Sequence, residues 1–130
     1  ETFTRGDMMN VETGELDLAV TTDTNLLGVF IGTVDPDAER DTAHARTPGK
    51  VAGTDSTTRV RAIIDPDAVY STADANARDC GATLDISGAT GAQGVAASAN
   101  TEFVVVETKL AAGDPTYVII TPTAHVLAKT

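Results

Sequence analysis

Short runs of apolar and β-branched residues recur along the whole chain, with glycine and proline turns between them. Runs of about four to eight such residues are typical of β-strands, because successive side chains of a strand point to opposite faces of a sheet. We predict strands over residues 16–20, 26–33, 57–64, 101–108 and 116–122, with short strands near residues 50–52 and over residues 124–127. This pattern predicts an all-β fold, a small β-sandwich or β-barrel with long irregular loops and at most one short helix. Strand order, and the choice between sandwich and barrel, stay open.

Three segments do not follow the strand pattern. Residues 73–80 have good helical propensity, and we predict two helical turns there that end at Gly81. Residues 35–56 are rich in small and polar residues, which indicates a long surface loop. Residues 1–12 are expected to form an N-terminal arm. The chain, residues 1–130, is thus predicted to be a single β domain with one arm and one long loop.

Charge and aromatic content narrow the classes of partner. Nineteen acidic residues against nine basic ones give a formal net charge of −10. Such a chain repels phosphate backbones and anionic membrane surfaces, so we expect neither nucleic acid nor membrane as a partner. Aromatic residues make up only 4% and tryptophan is absent, which leaves a poor stacking platform for sugars or single-stranded nucleic acid.

The single cysteine and the distribution of apolar residues suggest where the chain is made. Cys80 has no second cysteine to pair with, which fits assembly in a reducing compartment. No run approaches the roughly 20 apolar residues that a membrane-spanning helix needs. The first residues lack the apolar core of a signal peptide, so we expect a chain that is not secreted by that route.

Two acidic clusters raise the question of a metal site. The first contains Asp35, Asp37, Glu39 and Asp41; the second contains Asp65, Asp67 and Asp74. An EF-hand loop starting at Asp35 would need glycine and glutamate where the chain has Arg40 and Arg46. We therefore interpret both clusters as solvated, although cation binding by residues 35–41 in another geometry stays open.

No residue pattern meets the requirements of catalysis. His44 and His125 have no cysteine or histidine at a zinc-ligand interval, and Cys80 follows Asp79, whose charge opposes thiolate formation. There is no Gly-x-Ser-x-Gly motif, and the spaced glycines of residues 88–94 lack the Lys-Ser/Thr of a phosphate loop. Spacing alone does not exclude a pair of carboxylates of the kind that hydrolyses glycosides, but the low aromatic content argues against a sugar-binding cleft. We expect no enzyme: no catalytic residue, no metal ligand and no cofactor-binding residue.

Arg5, Gly6 and Asp7 spell a known cell-adhesion tripeptide. Three residues match by chance too easily to indicate adhesion, and a Gly-Asp pair is common turn chemistry. We interpret the tripeptide as a turn at the start of the first strand.

Two pairs of segments resemble a known family. Residues 69–74 are followed by residues 81–86, and residues 91–96 by the strand-like residues 101–107. Together they resemble the small β-rich head decoration (cement) proteins of tailed bacteriophages, over about half of the chain, residues 59–127. The resemblance implies a structural virion protein that binds the outer surface of the capsid and stabilises contacts between major capsid subunits. It brings no catalytic residues.

The same resemblance implies partners and location. The partners would be the major capsid protein and neighbouring copies on the shell, or a homo-oligomer, with assembly in the host cytoplasm. Residues 1–10 and 35–56 would be arms that grip neighbours, because a segment that orders on assembly can cover a wide surface. The alternative is a non-enzymatic binding or adhesion module of a fibre or surface protein, since a β-sandwich serves both functions.

Overall fold

The computed structural model of the chain describes residues 3–33, 50–51, 60–97, 100–109, 111 and 113–128. This part contains strands and turns but no helix, and hence none long and apolar enough to cross a membrane. The strands are β1 (Phe3–Thr4), β2 (Met8–Glu12), β3 (Glu15–Leu18), β4 (Leu26–Thr33), β5 (Lys50–Val51), β6 (Val60–Ile63), β7 (Tyr70–Thr72), β8 (Thr83–Ser87), β9 (Gly94–Ala97), β10 (Phe103–Val105) and β11 (Thr116–Ile120). The prediction of an all-β fold is confirmed.

The two larger sheets pack face to face as a β-sandwich. The four-stranded sheet has the order β3-β2-β4-β6 and the five-stranded sheet the order β7-β11-β10-β8-β9, with antiparallel pairing throughout. Their common core contains Met8, Ala19, Leu26, Leu84, Ile86, Phe103, Val105, Val118, Ile120 and Ala124. The five-stranded sheet is curled, since a Cβ placed on Gly94 in β9 would lie 3.7 Å from the carbonyl oxygen of Ala73, just after β7.

The four-stranded sheet is buried on its other face as well. There Phe3, Met9 and Phe30 form a second core, in which the rings of Phe3 and Phe30 stack with centroids 5.5 Å apart. Met8 and Met9 belong to different cores because neighbouring side chains of a strand point to opposite faces. Burial on both faces explains why β4 is almost continuously apolar rather than alternating.

The helix predicted over residues 73–80 is wrong. The segment is irregular, and its regular pairing is a single antiparallel bridge between Arg78 and Lys109. The carboxylate of Asp74 accepts hydrogen bonds from the backbone N–H of Asn76 and from the Arg78 side chain, and such local bonds compete with helical ones. Gly81 nevertheless has the positive φ, 88°, expected of it.

The arm predicted over residues 1–12 is wrong for residues 3–12. Strand β2 is an interior strand that pairs with both β3 and β4, and β1 pairs with β5. The buried side chains of Phe3, Met8 and Met9 hold this segment in the two cores. Strand β5 confirms the short strand expected near residues 50–52, while the rest of the loop over residues 35–56 lies outside the described residues.

The remaining strand predictions mostly hold, with shifted ends. Those over residues 16–20, 101–108 and 116–122 correspond to the shorter strands β3, β10 and β11, and residues 26–33 are β4. The prediction over residues 57–64 corresponds to β6, residues 57–59 lying outside the described part. The strand expected over residues 124–127 is wrong. Those residues form turns, because the N–H groups of Ala124 and His125 both bond to the nearby carbonyl of Thr121, and they meet the sheet only through an isolated parallel bridge between His125 and Leu26.

Candidate functional site

The two acidic clusters do not form a metal site within the described residues. Asp35, Asp37, Glu39 and Asp41 lie outside the described residues, as does His44. Asp65 accepts the N–H of Asp67 at 2.8 Å within its own turn, whereas Asp74 is held by Arg78. In the described part of the chain, no group of three or more His, Cys, Asp or Glu side chains could hold a metal ion.

Asp74 is the centre of a buried ionic cluster. Its Oδ2 accepts from Arg78 Nε at 2.6 Å, its Oδ1 from Arg78 Nη2 at 3.2 Å, and its side chain is only 3% exposed. The hydroxyl of Thr116 donates to Oδ2 at 3.3 Å, and the buried ammonium of Lys109 donates to the Asp74 carbonyl. The Arg78 hydrogen bond lowers the pKa of Asp74 from 3.8 to about 2. The cluster therefore ties residues 74–78 to β11, a structural function that sequence spacing did not indicate.

Glu102 is a second buried carboxylate. It is fully buried, and its two oxygens accept the N–H groups of Thr22 at 2.8 Å and Ile86 at 2.6 Å. Burial raises its pKa, the direction found in many catalytic acids. Because both oxygens are occupied and the side chain has no exposed surface, Glu102 joins the turn after β3 to β8 and cannot reach a substrate.

Asp7, the acidic residue of the adhesion-like tripeptide, is also committed to the fold. It is 2% exposed, and its carboxylate accepts the N–H of Thr4 at 2.7 Å and of Gly91 at 2.8 Å. Its own N–H bonds to the Thr4 carbonyl at 2.9 Å, as in a turn. The turn interpretation is confirmed, and the carboxylate is not available to a receptor.

His125 and Cys80 likewise have structural surroundings. Nδ1 of the fully buried His125 accepts the N–H of Leu127 at 3.1 Å, which leaves the proton of the neutral ring on Nε2. Burial lowers the pKa of His125, and the charge of Asp65 acts in the opposite direction. Cys80 is exposed, and its thiol donates to the carbonyl of Val106 at 3.4 Å.

Three exposed aliphatic side chains flank the turn that follows β6, and a fourth, Leu127, lies in the C-terminal turn two residues after His125. Ile63, Ile64, Val69 and Leu127 are 44%, 44%, 57% and 54% exposed, and we call them the aliphatic patch. Asp65 and Asp67 project from the same turn, which the bond from the N–H of Ala68 to the Asp65 carbonyl closes. The C-terminal turn that carries Leu127 lies beside this one, since the backbone of Ile64 and the charge of Asp65 both act on the ring of His125.

The aliphatic patch has the composition of a protein-docking surface. Exposed apolar groups rimmed by polar residues are typical of such surfaces, whereas single exposed aliphatic residues are ordinary. The sequence pattern did not indicate the aliphatic patch, because the same residues look like the end of a strand and its turn.

Comparison with family models, curated proteins and solved structures found no match to this chain.

Proposed function

We propose that the protein is a structural virion protein that binds the outer surface of a phage capsid and stabilises contacts between major capsid subunits. The observation that carries the proposal is the aliphatic patch with its acidic rim. The resemblance of residues 59–127 to head decoration proteins supplies the identity of the partner.

The chemistry of the patch specifies the partner surface. Burying four aliphatic side chains that are about half exposed would contribute a few kcal/mol, at about 25 cal/mol for each Å² of apolar area removed from water. The carboxylates of Asp65 and Asp67 favour lysine or arginine around the apolar contact, which sets orientation and speeds encounter. The expected partner is an apolar depression on the major capsid protein with a basic rim.

The net charge of −10 supports an outer position on the shell. Packaged DNA repels such a protein, whereas a basic protein surface attracts it. Many copies bound to neighbouring subunits would also add avidity, so each contact can be modest. The buried positions of Asp7, Asp74 and Glu102 support a binding function over a catalytic one, because these carboxylates hold the fold together.

The test is a binding assay on expanded phage capsids that lack this protein. The variant Val69→Ser with Leu127→Ser removes two aliphatic groups from the patch, and we expect its affinity to fall by roughly 10- to 100-fold, as about 2 kcal/mol of apolar burial predicts. Val20→Ser is the matched control, because Val20 is 51% exposed and follows β3, at the opposite edge of the sheet from β6. Equal binding by the wild type and the patch variant would reject the patch as the docking surface.

A further inference from the structure

An apolar cavity lies between the two sheets, apart from the aliphatic patch. It has a volume of about 190 Å³ and is open to solvent. Its apolar wall comes from both sheets and consists of Met8, Val29, Tyr70, Ile86, Phe103 and Val118. The curled five-stranded sheet creates this space, because its edge strands β7 and β9 approach each other without pairing.

Gly94 lines the edge of the cavity, where β9 passes close to the end of β7. A Cβ placed there would meet its nearest neighbours at 3.7–4.0 Å, an ordinary contact distance, and its φ does not demand glycine. Gly6, which also lines the cavity, is different, because its φ of +98° does favour glycine. A side chain at position 94 would lie on the face of Ser87, opposite Ile86 and Val95, and would narrow the gap between β9 and β7. Glycine inside a strand otherwise weakens it, and is found where a ligand or another backbone approaches closely.

Three polar side chains beside the cavity already have partners, among them the Thr72 hydroxyl, which donates to the Ala73 carbonyl at 3.4 Å. Oε1 of Gln93 accepts the N–H of Met8 at 2.5 Å, and its Nε2 donates to the carbonyl of Ala19 at 2.9 Å. The Tyr70 hydroxyl donates to the carbonyl of Ile63 at 3.4 Å, and burial raises the pKa of Tyr70, so the phenol stays neutral. No charged side chain is among the described lining residues. The cavity thus favours a neutral occupant with little need for hydrogen bonds.

We propose that this cavity binds a small, neutral, apolar molecule, such as a single aromatic ring. An engineered apolar cavity of about 150 Å³ in another protein binds benzene and xenon, so about 190 Å³ has room for roughly seven non-hydrogen atoms. The opening to solvent provides an entry path. A ligand of this size that stays partly solvated should bind with a dissociation constant of about 0.1–1 mM.

The test is a titration of the full chain with toluene, followed through methyl resonances of Met8, Val29, Ile86 and Val118. Saturable shifts confined to these methyl groups support the proposal, and sodium benzoate should give none, because its charge is not compensated in the cavity. Absence of saturable shifts up to the solubility limit of toluene would overturn it, as would shifts confined to Ile63, Ile64 and Leu127.

Variants that fill the cavity complete the test. Val95→Phe should weaken toluene binding at least tenfold, because Val95 lines the cavity beside its cross-strand partner Ile86. Gly113→Val is the control, since nothing lies within 4 Å of a Cβ at that loop position. If Val95→Phe does not fold, Val29→Ile adds a methyl group to the same cavity from the four-stranded sheet. Unchanged toluene binding in a folded cavity-filling variant would contradict the proposal. The result is independent of capsid binding, which the aliphatic patch variants measure.

Discussion

Replacing Asp74 by asparagine should destabilise the protein more than its small change in shape suggests. The substitution keeps the size of the side chain and one accepting oxygen. It removes the charge that faces Arg78 and Lys109, and it replaces the other oxygen by a donor that cannot accept from Arg78 Nε or Thr116. Arg78, whose side chain is only 14% exposed, is then left without its ion-pair partner.

The lowered pKa of Asp74 gives the magnitude of the expected loss of stability. Its fall from 3.8 to about 2 corresponds to ~2.5 kcal/mol, at about 1.36 kcal/mol for each pKa unit. Breaking a fully buried ion pair typically costs about 3–5 kcal/mol, which is an upper bound here because the pair is only partly buried. We expect Asp74→Asn to lower the free energy of unfolding by about 2.5–4 kcal/mol at neutral pH.

The direction in which this stability difference changes with pH follows from the lowered pKa of Asp74. A carboxyl group whose pKa is lower in the folded state stabilises that state above its unfolded pKa, and the contribution is lost as the pH falls through the folded value. The difference between the wild type and Asp74→Asn should therefore be full above pH 3.8 and shrink as the pH falls toward about 2.

Urea unfolding followed by circular dichroism at several pH values measures this difference. Asp114→Asn is the matched control, because it removes one negative charge as Asp74→Asn does. Asp114 is exposed and lines the same surface depression of about 490 Å³ as Asp74. The reasoning is refuted if Asp74→Asn is as stable as Asp114→Asn at neutral pH. A difference that stays constant down to pH 2 would refute the electrostatic account.

Three further predictions concern the cores and the buried carboxylate. Gly28→Ala should lower the melting temperature sharply or prevent folding, since its Cβ would lie 1.8 Å from the carbonyl oxygen of Ile63. Gly14→Ala is the control and should lower the melting temperature far less, because nothing lies within 4 Å of a Cβ at that position. Phe30→Ala should cost about 3–5 kcal/mol in urea unfolding, and a loss below 1 kcal/mol would show that the second core contributes little. Because the pKa of Glu102 is raised in the folded state, ionisation of its carboxyl group opposes folding. The stability of the wild type relative to Glu102→Gln should therefore fall as the pH rises from 4.5 toward the pKa of the folded state. Carboxyl-carbon NMR should find the pKa of Glu102 above 4.5, and a lower value would contradict the prediction.

Strands were predictable where local pattern and tertiary environment agreed. β4 is apolar over most of its length because both of its faces are buried, and its ends were predicted correctly. β2 was missed because Met8, Met9 and Asn10 are all buried, on alternate faces, so the alternation that marks a half-buried strand is absent. β8 was missed for a related reason, since Asp85 is buried between Leu84 and Ile86.

Burial of a polar residue depends on partners that are distant in the chain, and local patterns do not show them. Asp85 accepts the N–H of Asn100, Asp7 binds the backbone of Gly91, and Glu102 binds Thr22 across 80 residues of sequence. The aliphatic patch was not predictable either, because which face of a short strand is covered depends on the sheet packed against it. The turn at Asp65, in contrast, follows from Asp-Pro chemistry alone.

Cosedimentation of the purified wild-type protein with expanded phage capsids that lack it, followed by cryo-electron microscopy of the pellet, tests the proposed function most directly. The account predicts stoichiometric, symmetric binding on the outer shell, with Val69 and Leu127 in contact with the major capsid protein. Failure to bind such shells would contradict the decoration function, and a glycan array would then test the adhesion alternative. Binding through a surface that excludes the aliphatic patch would contradict the docking surface proposed for it.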